Sequence, residues 1–338
     1  MATPGGQISA ADIRNEFGPS SETGEKVQIG SYRVSQTVGA LSNLPLDDGI
    51  PQSGQISFND FKNRKLNVIV NYYSGGNETK PQDAKSRYNA NNTTTIGGFR
   101  GRPSESAGHK IRIHVNKTIS GGEGANSCAL RTGNWDSETD LFIDVGSSGR
   151  IYGKGGDGGA GGDHSGPGGD GGDGTHALGI QYGTVSEETT VNVMSGGVIS
   201  CGFGGGGGGS GDHQDDKGEE RHANGGGGGG GAGSPAGNGG DQGEGGAGGS
   251  DGSAGTSDHG GDGGNGGNND NQAYGGTGGN GGGHGGGPGN GQDRDSDGGE
   301  AGSNGAAIRG SEGINADDVQ VNNNGTIRGG YVWDSEVS

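Results

Sequence analysis

Between Phe203 and Ile308 the chain contains no Val, Ile, Leu, Met, Phe or Trp. That absence excludes an oil-drop core over the whole stretch, because nothing there leaves water on folding. The full 338 residues carry 24% hydrophobic and 5% aromatic side chains, too few for one globular core of that length. Cysteine is scarce as well. Cys128 and Cys201 stand alone, without a Cys-x-x-Cys spacing, and read as two buried or free thiols of a protein assembled in a reducing cytoplasm. No apolar run approaches the ~18 residues of a membrane span, and Met1–Gly6 lacks the basic and apolar regions of a secretory leader. The chain is therefore read as neither membrane-spanning nor secreted by the usual route.

Positive charge is missing where glycine is dense. Residues 151–313 hold 22 acidic and 5 basic side chains, net −17 of the chain's −19. No Arg-Gly-Gly run interrupts these tracts, so nucleic acid and bare anionic lipid are excluded as partners. Gly204–Gly209 and Gly225–Gly231 are followed by no Gly-Lys-Ser/Thr, so they are not phosphate loops. No Ser/His/Asp order and no pair of carboxylates in a folded pocket is found, which argues against an enzyme.

What is present is glycine, 91 residues against 9 prolines. Gly-Gly-X triplets such as Gly260-Gly261-Asp262, Gly263-Gly264-Asn265 and Gly266-Gly267-Asn268 keep one phase from Gly245 to Gly281 across their polar inserts. A flexible linker has no use for phase. A left-handed extended helix with three residues per turn does, since every third side chain then lies on one edge and the other two edges are bare backbone. Neighbours can approach those edges closely and exchange backbone hydrogen bonds. Collagen would need far more proline. The expectation is a packed polyglycine-II-type array over 151–313, with a disordered linker as the competing reading.

Two internal repeats organise the rest. Gly6-Gln7-Ile8-Ser9-Ala10-Ala11-Asp12 recurs as Gly54-Gln55-Ile56-Ser57-Phe58-Asn59-Asp60. Each copy reads as a helix start, with Ser9 or Ser57 as N-cap, Asp12 or Asp60 reaching back to it, and Ile8 or Ile56 stapling onto Ile13 or Phe61. Residues 1–65 are expected to be a compact attachment module with short helices. The second repeat is Ile143-x-Val145 then Gly149-x-Ile151, Val191-x-Val193 then Gly197-x-Ile199, and Val319-x-Val321 then Gly325-x-Ile327. Each copy reads as strand, glycine turn, strand. The expected fold is thus mainly β and irregular. It comprises the N-terminal module, a β domain over 66–150, the glycine body over 151–313 and a C-terminal β-arch over 314–338. Stacked β-arches carry the glycine helices as excursions.

The 319–330 strand-turn motif alternating with Gly-Gly-X tracts resembles the glycine-rich tail-fibre and tail-tip virion structural proteins, adhesin-like, of tailed bacteriophages. The Gly-Gln-Ile-Ser-x-x-Asp module is similar to segments common in phage virion proteins. The resemblance implies a virion protein made in the host cytoplasm and placed on the phage tail. Its implied partners are other tail or fibre proteins and a host receptor, and its implied assembly is a homo-oligomer, a trimer being favoured. Among adhesins of T-even-type phages it implies a sandwich of polyglycine II helices whose distal loops touch an outer-membrane protein. Those loops carry aromatic and aliphatic residues, whereas here they are polar, so a cell-surface glycan stands beside the outer-membrane protein as candidate receptor. A structural spacer or decoration protein that binds nothing is the alternative.

Binding residues are sought where polar inserts force loops out of the tracts, at 212–224, 257–259, 269–274 and 292–297. Tyr274 is their one aromatic residue besides histidine. With Asn269, Asp270 and Asn271 it has the makings of a sugar-stacking site, to which Arg294, Asp258 and His259 are added as polar contacts. Asp212, His213, Asp215, Asp216, Glu219, Glu220 and His222 have a composition that suits a divalent cation, yet their spacing alone supports no metal site, and no cofactor is assigned.

Overall fold

The computed structural model describes residues 3–17, 29–33, 46–47, 49–72, 76–89, 93–95, 110–122, 127–135, 140–181, 189–216, 219–269 and 273–333. The described residues are mainly β, with few helices. At the amino terminus, helix α1 (Ala10–Phe17) begins where Ser9 caps it. The Ser9 N–H and hydroxyl both donate to Asp12, at 2.8 and 2.7 Å, and Asp12 N–H donates back to Ser9 Oγ at 3.2 Å. The second copy closes the same Ser57–Asp60 ring, at 2.7 Å from the Ser57 N–H, but yields only a four-residue 3-10 turn, Phe58–Phe61. Asn63, at φ 56°, turns the chain left-handed just beyond it, so this copy does not lengthen into the α-helix that the motif predicts. Phe17 meets Phe61 edge-on at 5.7 Å, and Ile13, Tyr32, Leu46, Ile50 and Leu66 complete a small core, with Ile8 and Ile56 packed at its margin.

From residue 67 the chain winds through three sheets. The first turn comprises β1 (Asn67–Tyr72), β2 (Gln82–Asp83), helix α2 (Ala84–Asn89) and β3 (Thr93–Thr95). Three strands then follow in order, β4 (Lys110–Val115), β5 (Thr118–Ser120) and β6 (Cys128–Arg131). The next turn repeats that order with β7 (Asp140–Val145), β8 (Arg150–Tyr152) and β9 (His176–Ile180), and the one after it begins with β10 (Thr189–Val193) and β11 (Val198–Ser200). The two strands of a repeat copy do not pair with each other. Each pairs in parallel with its counterpart in the neighbouring copy, so that Ile119, Ile151 and Ile199 fall opposite one another, as do Ile113, Ile143 and Val191. These side chains are all fully buried and form one core. Period-two alternation aims them inward, and β-branched residues suit the parallel ladders they occupy. The sheet through β1, β4, β7 and β10 also takes a late strand, Val319–Asn323, so strands from before residue 150 and from after 314 share a core. Asp144 is buried on it and is held by Arg112 at 3.1 Å and Asn192 at 2.7 Å.

Glycine segments leave this coil after β8 and again after β11. The second excursion carries two small hairpins, β12 (Asp212–Asp216) with β13 (Glu219–Ala223), and β14 (Asn268–Asn269) with β15 (Ala273–Tyr274). It returns at β16 (Ala306–Gly310), which pairs with β9; then β17 (Val319–Asn323), β18 (Thr326–Arg328) and β19 (Gly330–Val332) add a last turn to the three sheets.

The excursions are hydrogen-bonded to one another mainly through backbone. Segment 202–211 donates to 168–175 (Gly205 to Gly172, 2.9 Å), to 224–232 (Gly206 to Gly229, 2.8 Å) and to 289–292 (Gly207 to Gly289, 3.1 Å). It accepts from 155–162 (Gly159 to Gly206, 2.9 Å), 275–282 (Gly279 to Gly207, 2.8 Å) and 298–305 (Gly302 to Gly205, 2.9 Å). Bonds to a given neighbour recur every third residue, as with Gly156, Gly159 and Gly162 bonding to Phe203, Gly206 and Gly209. Segment 224–232 is likewise ringed, by 155–162, 202–211, 237–243, 247–256, 260–267 and 275–282. Six neighbours leave no side free for a side chain. These two segments hold the all-glycine runs Gly204–Gly209 and Gly225–Gly231, and both runs are buried throughout. Segments with fewer neighbours keep a third residue that faces outward, and there Asp and Asn close the margin. Asp157 accepts from Asn238 N–H at 2.7 Å, Asp170 from Glu300 at 2.9 Å, Asp173 from Ser303 at 2.7 Å, and Asn290 from Ala301 at 2.9 Å.

Candidate functional site

The excursions run out and back, so their loops fall at two ends. At the near end Gly121 N–H of the coil donates to Ser234 O at 3.0 Å, and Arg328 of β18 is bonded to the Asp258 carboxylate. His284 N–H donates to Asp258 O at 3.1 Å, which places the 283–288 turn there as well. Asp258 and His259 therefore belong to the coil end. The Arg328 hydrogen bond holds the Asp258 carboxyl below its usual range, against the opposing effect of burial.

Loops 163–167, 244–246 and 292–298 gather at the far end, together with residues 212–216, 219–224, 268–269 and 273–274. The β12–β13 hairpin is their centre, and it sets His213 opposite His222. His213 Nδ1 lies 3.0 Å from His222 Nδ1, the rings stacked at 4.6 Å between centroids and 25° between planes. His164 meets His222 edge-on at 4.5 Å. Asp163 accepts from Glu244 N–H, which binds the first excursion to the 244–246 turn. Asp295 accepts from His213 N–H at 2.7 Å, Asp212 accepts from Tyr274 N–H at 2.6 Å, and Asn269 Nδ2 donates to His222 O at 3.3 Å. The Tyr274 side chain is thereby held with its backbone fixed and its ring exposed.

Of the residues sought in the sequence, Tyr274, Asn269 and Arg294 share this end, with Arg294 beside Asp295 in an exposed turn. Asp270 and Asn271 lie outside the described residues. Asp212 lies on the opposite face of the hairpin from Asp215 and Glu220, and among the described residues no three His, Cys, Asp or Glu side chains are grouped to hold a metal ion. His164 has no signal in the sequence, because loops far apart in the chain bring it to His222. Both cysteines are buried and free, with burial pushing each thiol up to about 12, which leaves them poor nucleophiles. No helix among the described residues is long and apolar enough to cross a membrane.

No curated protein and no solved structure matches the chain. A family model does, that of the phage tail fibre adhesin Gp38, over residues 75–332, a span that takes in the coil from β2 onward, both excursions and the far-end loops. On that match, which covers well over half of its length, the chain belongs to the phage tail fibre adhesin Gp38 family.

Proposed function

We propose that this virion tail protein attaches the phage to its host cell through the far-end loops of the glycine body. The observation that carries this reading is the convergence of five loops, interlinked by hydrogen bonds, at the end of the body away from the coil. Exposed Tyr274 and the polar groups around it suit a glycan by ring stacking and hydrogen bonding, and an outer-membrane protein by contact with its loops. Beneath them, stacked β-arches form the base and Gly-Gly-X segments form a polyglycine II array, a reading supported by the three-residue recurrence of bonds and the six neighbours of each interior segment. Residues 1–65, with the Ile8, Ser9, Asp12 and Ile56, Ser57, Asp60 caps, serve as the attachment module to other tail or fibre proteins, as a homo-oligomer of which a trimer is favoured. The proposed divisions at 65, 150 and 313 are divisions of sequence composition, the last three parts contributing to one hydrophobic core in the coil, and the protein does no catalysis. Asp258 and His259 take no part in the binding surface.

The test replaces 269–274 by Gly and Ser in the phage. Adsorption is expected to fall at least tenfold while particles assemble with normal copy number. Unchanged adsorption would favour the structural spacer instead.

A further inference from the structure

We infer that a cleft where the coil meets the glycine body binds a phosphorylated sugar, with Lys80 and Lys154 holding the phosphate. The cavity measures about 460 Å³, within the roughly 300–1,000 Å³ of small-molecule sites. Three successive turns of the coil line it, with Thr79, Lys80 and Pro81 ahead of β2, Gly121 and Gly122 after β5, and Lys154 after β8. Pro235 joins them from the near-end turn of the glycine body, and the bond from Gly121 N–H to Ser234 O ties that turn to the coil. The corner at 121–122 requires glycine. Its φ angles are 106° and 126°, and a Cβ on Gly121 would come within 2.9 Å of Thr79 O.

Charge selects the ligand. The chain carries 41 acidic against 22 basic residues, yet the described residues that line this cleft include two lysines and no carboxylate. An anion is the occupant that such a lining favours. Lys80 is exposed and the Lys154 ammonium is held loosely, 4.0 Å from Asp157 Oδ2, so both can turn to a ligand. The Lys154 backbone is fixed, by its N–H to Thr175 Oγ1 at 2.8 Å and by Thr175 N–H to its carbonyl at 2.9 Å. Beside Gly122 the Ser127 hydroxyl is buried with no hydrogen-bond partner among the described residues, its Oγ 2.6 Å from where a Cβ on Gly122 would stand. An unpaired buried hydroxyl is unfavourable, and a ligand oxygen at Gly122 would relieve it. Two ammonium groups match a phosphomonoester, which carries about −1.5 to −2 at pH 7 and which lysine binds as a point charge. The cavity holds more than a phosphate, and the rings of Pro81 and Pro235 offer apolar surface to the C–H groups of a sugar. No aromatic ring is among the described lining residues, so a nucleobase finds no stacking partner. The cleft lies at the end of the body away from the loops assigned to the host, so its test is separate from theirs.

The test is calorimetric titration of the purified full chain at pH 7.5 with glucose 6-phosphate, glucose and inorganic phosphate in turn. The sugar phosphate should bind at least tenfold more tightly than either part alone. Its affinity should drop at least fivefold in Lys80→Gln and in Lys154→Gln, and should be unchanged in Lys65→Gln, which removes the same charge from the amino-terminal module. Affinity should also weaken at pH 5, below the second ionisation of the phosphate near about 6. Circular dichroism verifies that the variants fold. A phosphorylated oligosaccharide that binds at least tenfold more tightly than glucose 6-phosphate would assign the site to a polymer, and equal binding to the free sugar phosphate; either supports the site. No binding at millimolar glucose 6-phosphate, affinity equal to that of inorganic phosphate, or affinity unchanged in both Lys80→Gln and Lys154→Gln would each overturn the inference.

Discussion

Glycine serves two different purposes in this protein, and the difference is visible one residue at a time. At Gly206 an added Cβ would run into the carbonyl oxygen of Gly279, and at Gly228 into that of Gly206, in both cases backbone that has nowhere to retreat. At Gly248 an added Cβ meets nothing within 4 Å, and its φ is not in the left-handed region. Gly206→Ala should therefore lower stability by about 4 kcal/mol or more, at the extreme of single substitutions, because several segments must part to admit one methyl. Gly248→Ala should be neutral or slightly stabilising, by up to ~1 kcal/mol, through the lost freedom of the unfolded chain. Thermal unfolding of the two variants side by side decides it. Equal melting temperatures would mean that the segments are not packed as described. The all-glycine runs were legible as sequence, but their position was not. A triplet with one side chain can sit at a margin, whereas a run without any can be ringed on every side, and that inference needs the neighbours to be known.

Among elements, the near-end loop 256–260 is tied to the coil by one ion pair, Asp258 with Arg328, whose side chains are 45% and 22% exposed. Exposure of that order limits its worth to ~1 kcal/mol or less. The folded-state pKa of Asp258 is lowered by the Arg328 hydrogen bond, so the contribution is complete above the unfolded value, near about 3.9, and is lost as pH falls through the folded one. Asp258→Asn should cost up to ~1 kcal/mol at pH 7, and the gap to the unsubstituted protein should narrow below about pH 4. Denaturant unfolding at several pH values measures this, and a gap independent of pH would show that the carboxylate charge is not what holds the loop. The sequence offered Asp258 as a receptor contact because it sits in a polar insert. Inserts alternate between the two ends of the body, however, and composition does not say which turn faces the coil. The strand repeats were more readable: their spacing matched copy to copy, and the ladders put Ile151, Ile199 and Ile327 in one line. What the repeat did not reveal is that strands outside its three copies, β4 and β5, extend the same ladders.

For the whole molecule, the acidic excess has two sources. Part of it is structural, as with Asp157, Asp170 and Asp173, whose carboxylates close backbone amides at the margin of the glycine body. Another part lies on the far-end loops, where Asp212 and Asp295 position Tyr274 and His213. Either way, the 22 acidic against 5 basic residues of 151–313 present a net −17 to whatever the body approaches. A bacterial surface rich in anionic groups repels such a body until contact. At a Debye length of about 8 Å in physiological salt, that repulsion acts mainly over the last approach of the tip and is weakened by added electrolyte. If the far end is the part that touches the host, adsorption should quicken as salt rises from about 10 mM to about 150 mM, over which the screening length shortens from about 30 Å to about 8 Å. Tyr274→Ala should slow adsorption at every salt concentration and leave the salt dependence intact, since it removes a contact and no charge. Measured adsorption rates of phage carrying each form decide between the possibilities. Rates that fall steadily with salt would mean that attraction governs the encounter, and the partner would then have to be cationic, which neither a typical anionic glycan nor its lipid surroundings supplies.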